Sequence, residues 1–184
     1  MKNKWTIDPM HSEVQFKIRH LVISTVSGSF TKFSAEVETD GENFESAQIK
    51  FSADANSITT GAEQRDGHLN SADFFDSANH PTIDFVSTSF TKVSDANYKL
   101  TGNLSIRGIT KPVELDVEFG GIMKDPYGNI KAGFDVSGKI KRKDFGVSWD
   151  VVTEAGGIML SDEVKLIANV QFAKVVVEEM AVKA

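Results

Sequence analysis

SITTGAEQRDGHLNSADFFDSANHPTIDF, residues 57–85, is the one stretch of the chain that does not read as strand. On either side apolar residues fall on every second position, whereas here charged and small polar residues crowd together. Thr60 and Glu63 have the spacing of a capping box, in which a hydroxyl and a carboxylate each satisfy a free backbone N–H at a helix start. Leu69, Phe74 and Phe75 supply three apolar anchors to an otherwise polar segment. The expectation is a short helical insertion between strands, stapled by that cluster across one end of a β structure.

Working outward, the flanks alternate. Val14, Phe16, Ile18 and His20 share one face, against Glu13, Gln15, Lys17 and Arg19 on the other, as a half-buried strand requires. Gly28 to Phe30 reads as a bend, and Phe33, Ala35 and Val37 resume the alternation up to an Asp40-Gly41 hairpin signal. Further inward rows are Ala47, Ile49, Phe51 and Ala53; Ile83 and Phe85; and Tyr98, Leu100, Gly102, Leu104 and Ile106. After a turn placed at Gly108 to Pro112 come Val113, Leu115, Val117 and Phe119. Asp125 to Asn129 reads as a turn before Ile130, Ala132, Phe134, Val136 and Ile140; the last row is Val164, Leu166, Ala168, Val170 and Phe172. Roughly eight antiparallel strands, each with one apolar face, must stack or close on themselves, and closure removes exposed edges. The fold class expected is all-β, an eight-stranded antiparallel barrel in a single domain over residues 1–184, with the 175–184 tail unplaced. Such a barrel is either filled by its own side chains or holds one small ligand, and periodicity does not decide which. Small inward residues, among them Ala35, Ala53, Ser87, Gly102, Ala132 and Ala168, leave both outcomes open.

Composition excludes several functions. Twenty basic against 26 acidic residues give a net charge of −6 with scattered lysines, so nucleic acid is not an expected partner. The absence of cysteine removes disulfides, thiol nucleophiles and cysteine-ligated zinc. No apolar run approaches the ~20 residues of a spanning helix, and stable membrane insertion is not expected. The start of the chain, MKNKWTIDP, has no apolar signal core, which reads as cytoplasmic, or as periplasmic for a trimmed mature form. Thirteen phenylalanines against two tyrosines and two tryptophans favour an interior without polar tips.

Candidate chemistry is sparse. Asp8 with His11, and Asp66 with His68, each offer two metal ligands, fewer than a site needs, so hydrogen bonding is the reading taken and no metal is expected. Arg65 and Asp66, like Arg142, Lys143 and Asp144, read as loop-ordering pairs. Trp5 and Trp149 are assigned to the core. No nucleophile elbow or phosphate-binding glycine loop occurs, so no catalytic residue is proposed and the chain is not expected to be an enzyme.

The residues also resemble a known family. Trp5, Asp8, His11, Ser12, Phe16, His20, Gly28 and Phe30, the Thr60, Arg65-Asp66, His68-Leu69 and Asp73 to Asp76 run, Gly102, Leu104, Gly108, and Arg142, Asp144 to Gly146 stand in the order of the YceI-like family of lipocalin-like, polyisoprenoid-binding barrels, over about residues 5–174. The resemblance implies a long apolar tunnel for an isoprenoid, isoprenoid quinone or fatty-acid-like chain, a homodimer, and no other cofactor. It departs from true lipocalins at Asn3 to Trp5, where their Gly-x-Trp is missing. On this reading the ligand lies against Phe16, Ile18, Ile49, Phe51, Phe85, Leu104, Ile106, Leu115, Val117, Phe134 and Leu166, with Phe74 and Phe75 at the insertion and His20 near a head group. The alternatives are an enzyme acting on an isoprenoid-like substrate and a dimeric interaction module with a filled core.

Overall fold

The computed structural model describes residues 1–150 and 159–176. Eleven strands, β1 (Lys2–Ile7), β2 (Glu13–His20), β3 (Ser24–Phe30), β4 (Phe33–Asp40), β5 (Asn43–Asp54), β6 (Ile58–Thr59), β7 (Thr82–Ser94), β8 (Asn97–Ile106), β9 (Ile109–Lys124), β10 (Ile130–Lys141) and β11 (Leu160–Lys174), form one antiparallel sheet with a single helix, α1 (Glu63–Asn70), between β6 and β7. β11 pairs with β2 along its first part and with β1 at its end. β4 pairs with β1 and β3 with β2, while β5 and β6 flank that pair. The pieces β1/β2, β3/β4 and β5/β6 are therefore three long strands, each broken once. With the other five they close an eight-stranded antiparallel barrel.

The breaks have local causes. Between β1 and β2, Asp8 caps a short 3₁₀ turn by accepting from the Met10 N–H at 3.1 Å. Where β11 crosses that gap, Gln171 would lose its ladder partners. Instead its carbonyl accepts from the Asp8 N–H at 2.7 Å and its N–H donates to Ser12 Oγ at 3.0 Å. Asp8 also binds His11 Nδ1 at 2.8 Å and Lys131 Nζ of β10 at 2.7 Å, so the Asp8 and His11 pair is structural. The ammonium of Lys131 and the imidazole of His11 hold the Asp8 carboxyl at about 2, below its ordinary 3.8.

Three sequence expectations need correction. Gly28 lies inside β3, with the break at Thr31 and Lys32. Pro112 pairs with Asn103 within β9, and the turn is made by Arg107 and Gly108, both at positive φ. Thr60 does not cap α1. Its N–H and hydroxyl both donate to Asp66 Oδ1, at 2.8 and 2.6 Å, because Gly61 at φ 83° folds the approach back over the first turn. Asp66 and His68 serve hydrogen bonds within the insertion, as read: His68 Nε2 meets Asp73 Oδ2 at 2.9 Å.

The interior is divided along the barrel axis. At the end carrying the β4–β5, β7–β8 and β9–β10 turns, Trp5, Phe44, Phe90, Tyr98, Phe119, Phe134 and Phe172 pack ring against ring, with centroids 4.7–6.4 Å apart. Trp5 is wholly buried; its indole N–H donates to Thr39 Oγ1 at 3.0 Å, and that hydroxyl donates to the Gly41 carbonyl. Such contacts add about 0.5–1.5 kcal/mol per pair beyond area burial. Bulges supply the extra rings: Ser46 at φ 66° lets Phe44 and Ala47 both point inward, and a shift between Ser87 and Ser89 turns Phe90 in after Phe85. Among the described residues no helix is long and apolar enough to cross a membrane. Positions 177–184, the larger part of the unplaced tail, lie outside the described residues.

Candidate functional site

Beyond the aromatic plug the barrel is hollow. A cavity of about 510 Å³ runs from the rings of Phe44, Phe90, Phe134 and Phe172 to the end covered by the insertion. The alternative of a core filled by its own side chains does not fit this cavity. The cavity is about the size of a small-molecule site and almost wholly apolar in lining. At roughly 30 Å³ per carbon-sized group it has room for about seventeen.

Glycines hold the bore open. A Cβ built on Gly28 would lie 2.3 Å from Phe16 Cζ; on Gly102, 2.4 Å from Phe85 Cζ; and on Gly138, 2.3 Å from Leu115 Cδ2. All three glycines sit in inward rows, and in each case a large neighbouring side chain lies flat on the bare backbone instead of projecting toward the axis. Close approach is what a missing Cβ permits.

Phe16, Ile18 and His20 of β2, Ile49 and Phe51 of β5 and Phe85 of β7 face this cavity. So do Leu104 and Ile106 of β8, Leu115 and Val117 of β9, Phe134 of β10 and Leu166 of β11. Phe74 is buried beneath the insertion and Phe75 half-buried beside it, both against the bore. His20 stands at the mouth, where β2 turns into β3.

Several lining residues escaped sequence reasoning. Trp149, assigned to the core, lines the mouth with its ring 4.9 Å from His68 and 5.2 Å from Phe74. Arg65 also borders the cavity: its Nε donates to Thr60 Oγ1 at 2.7 Å and its Nη2 to the Thr60 carbonyl at 2.8 Å. Arg142, 4% exposed, is structural as expected, because it donates to the carbonyls of Val147, Trp149, Leu160 and Ser161 and pairs with Asp150 at 3.4 Å. Sequence reasoning singled these residues out as loop-ordering or core residues, not as lining, since a loop position gives no periodic signal. Among the described residues the polar lining consists of Gln15, His20, Arg65, His68 and Arg142, with no carboxylate. No group of three or more acidic or histidine side chains able to hold a metal occurs among the described residues.

Known proteins share this arrangement. A UPF0312 protein of Staphylococcus aureus (strain MSSA476) is 39% identical over 170 residues, covering 92% of this chain and 96% of its own. The Campylobacter jejuni YCEI protein superposes with a TM-score of 0.73 at 34% identity, over 85% of this chain and 90% of its own. A polyisoprenoid binding domain from Saccharophagus degradans shares the fold, with a TM-score of 0.70 at 14% identity over 92% and 97%. The YceI-like domain matches residues 5–172, and with relatives this close and a barrel of this form the chain belongs to the YceI-like family.

Proposed function

We propose that the chain binds and carries or stores a long-chain amphiphile, a polyisoprenoid, isoprenoid quinone or fatty-acid derivative, with its hydrocarbon in the bore and its head group at the mouth. The observation that carries this reading is the cavity itself: apolar along its walls, closed at one end by stacked rings, and polar only near the insertion and the turns beside it. About ten buried methylenes at roughly 0.8 kcal/mol each supply ~8 kcal/mol before ordering costs, enough for useful affinity without polar recognition. The ligand class named for the S. degradans domain supports the same reading. The lining residues act by excluding water, not by chemistry, so the chain is a binding protein and its only expected small molecule is the lipid. Homodimerisation, which the family resemblance implies, belongs to the same proposal and is measured by light scattering with and without ligand.

Mass spectrometry of an organic extract of the purified protein tests the reading. A retained prenyl or acyl chain is the expected result. An empty extract, together with no uptake of added prenols or fatty acids of any length, refutes it.

A further inference from the structure

We propose that the β2–β3 hairpin tip is a docking foot by which the barrel sets its mouth against an anionic lipid bilayer. The tip consists of Leu21, Val22 and Ile23, which are 38%, 71% and 82% exposed. Hairpin loops favour asparagine, aspartate or glycine, and here Leu21 and Val22 are held at φ 52° and 65°. For a β-branched residue that conformation is a genuine outlier, and such strain is retained where something other than folding requires it.

The tip is also braced. The Arg19 guanidinium donates to the Val22 carbonyl and to Thr25 Oγ1, and the Leu21 N–H donates to the Met159 carbonyl at 2.8 Å. Three apolar side chains are thereby fixed pointing into water at the cavity rim. His20 and Val26, on either side of the tip, and Met159 beneath it all line the cavity.

Charge identifies the partner. The chain carries a net −6, which by itself repels an anionic surface. Yet Lys17 of β2, Lys165 of β11 and Lys139 of β10 stand directly opposite one another on three neighbouring strands, all exposed. Like charges in register oppose strand pairing. Arg19, Lys141 and Lys143 extend the basic patch toward the mouth. The acids within and beside it are Glu163, paired with Lys139 at 3.4 Å, Asp162, which accepts the Lys143 N–H, Asp144, and on β9 Glu114 and Asp116, which both pair with Lys99; they are fewer than the cations they face. An apolar wedge backed by lysines is the pattern of a protein that rests on anionic lipid without spanning it. A hydrocarbon then passes between bilayer and bore without crossing water.

The proposal rests on the lipid-binding reading for its purpose, but the two fail separately. Flotation with phosphatidylcholine vesicles, with and without phosphatidylglycerol, is compared for the wild type and the triple variant Leu21→Ser, Val22→Asn, Ile23→Ser; asparagine tolerates the positive φ. The expected result is wild-type binding to the anionic vesicles that falls roughly tenfold in the variant, and that weakens at about 1 M salt, where the Debye length is about 3 Å. Uptake of a detergent-dispersed short-chain amphiphile that lies wholly within the bore, and so does not reach the tip, is unchanged in the variant. In a chain without cysteine, Ile23→Cys and Met123→Cys place one nitroxide at each end of the barrel. The label at position 23 becomes shielded by anionic vesicles and that at 123 does not. Equal flotation of variant and wild type, or shielding at 123 in place of 23, overturns the docking foot. Absence of amphiphile uptake by the wild type without vesicles overturns the lipid-binding reading instead.

Discussion

Gly28→Ala, a change of one methyl group, is expected to shorten the ligand the barrel accepts. The added Cβ meets Phe16 Cζ at 2.3 Å, Phe16 Cε1 at 2.6 Å and Thr60 Cγ2 at 3.0 Å, all side-chain atoms, so the backbone stays put and the ring moves. Ordinary contact at 3.4–4 Å requires a displacement of about 1–2 Å. Phe30 lies 5.9 Å from the Phe16 ring, centre to centre, with Phe75 against it in turn, so the free direction is into the bore. A ring swung fully inward takes up to about six of the roughly seventeen carbon-sized places, and a partial swing takes about three. At about 0.8 kcal/mol per methylene, a chain that fills the cavity loses about 2–3 kcal/mol, or roughly 30- to 150-fold in affinity. Crowding costs up to about 3 kcal/mol of fold stability, offset in part by the entropy regained on replacing a strand glycine, so the variant stays folded. The assay is isothermal titration with a series of straight-chain alcohols from octanol to hexadecanol. The octanol affinity is unchanged because a short chain uses half the bore, and the loss grows with length. Equal affinity of both proteins for hexadecanol, or an equal loss at every length, refutes the idea that bare backbone under Phe16 sets the bore.

Leu104→Trp, in the middle of the wall, is expected to abolish binding of long chains while the circular dichroism spectrum and two-state unfolding persist; unchanged lipid binding counts against this lining. Arg142→Met strips the carbonyls of Val147, Trp149, Leu160 and Ser161 of their buried donor, which costs about 3 kcal/mol and lowers Tm by roughly 6–12 °C; a shift under about 3 °C in calorimetry would show that the arginine is dispensable. Because the Asp8 carboxyl is held at about 2 in the folded chain against 3.8 otherwise, its contribution is complete above pH ~4 and is lost as pH falls toward 2. The amount is about 1–2 kcal/mol after solvent screening. Denaturant titrations between those limits should show a steeper slope in the wild type than in Asp8→Asn, where Glu38 and Asp125, also held low, leave a residual one; equal slopes would contradict it.

The closed barrel was legible because each long strand must hide alternate residues: the row from Tyr98 to Ile106 is buried at every second position, as the pattern requires. The broken pieces were not. β3, STVSGSF, has only Val26 and Phe30 as large inward residues, with Gly28 between them covered by Phe16, so its apolar row is too sparse to read. The phase slips at Ser46 and between Ser87 and Ser89 rest on a backbone angle and a bulge that composition does not encode. The capping box failed for a spatial reason, since Thr60 found a better acceptor in Asp66, one helical turn beyond Glu63. Of the candidate site, the wall was readable as inward residues, but whether it enclosed space was not. Gly102 stood out as small, yet the Phe85 ring lying over it comes from another strand.

The division of the barrel into plug and bore constrains what a ligand can be. The rings of Phe44, Phe119 and Phe134 pack with centroids 5.1–5.4 Å apart, Phe119 stacked on Phe134 and Phe44 edge-on or tilted against them, and close the floor. Among the described residues the end bearing the insertion is therefore the one open to an entering chain. Any hydrocarbon longer than about seventeen carbon-sized groups overruns the ~510 Å³ available and must emerge there. Exposing each further methylene forfeits about 0.8 kcal/mol of burial, so affinity should plateau with chain length unless something outside the bore covers the excess. At that mouth stand the rings of Trp149 and Phe74, and beside it the exposed apolar tip of Leu21, Val22 and Ile23. The end at which a polyisoprenoid protrudes thus carries an apolar rim of its own. A sealed floor and a greasy rim are parts of one device, because closing the first makes the second necessary.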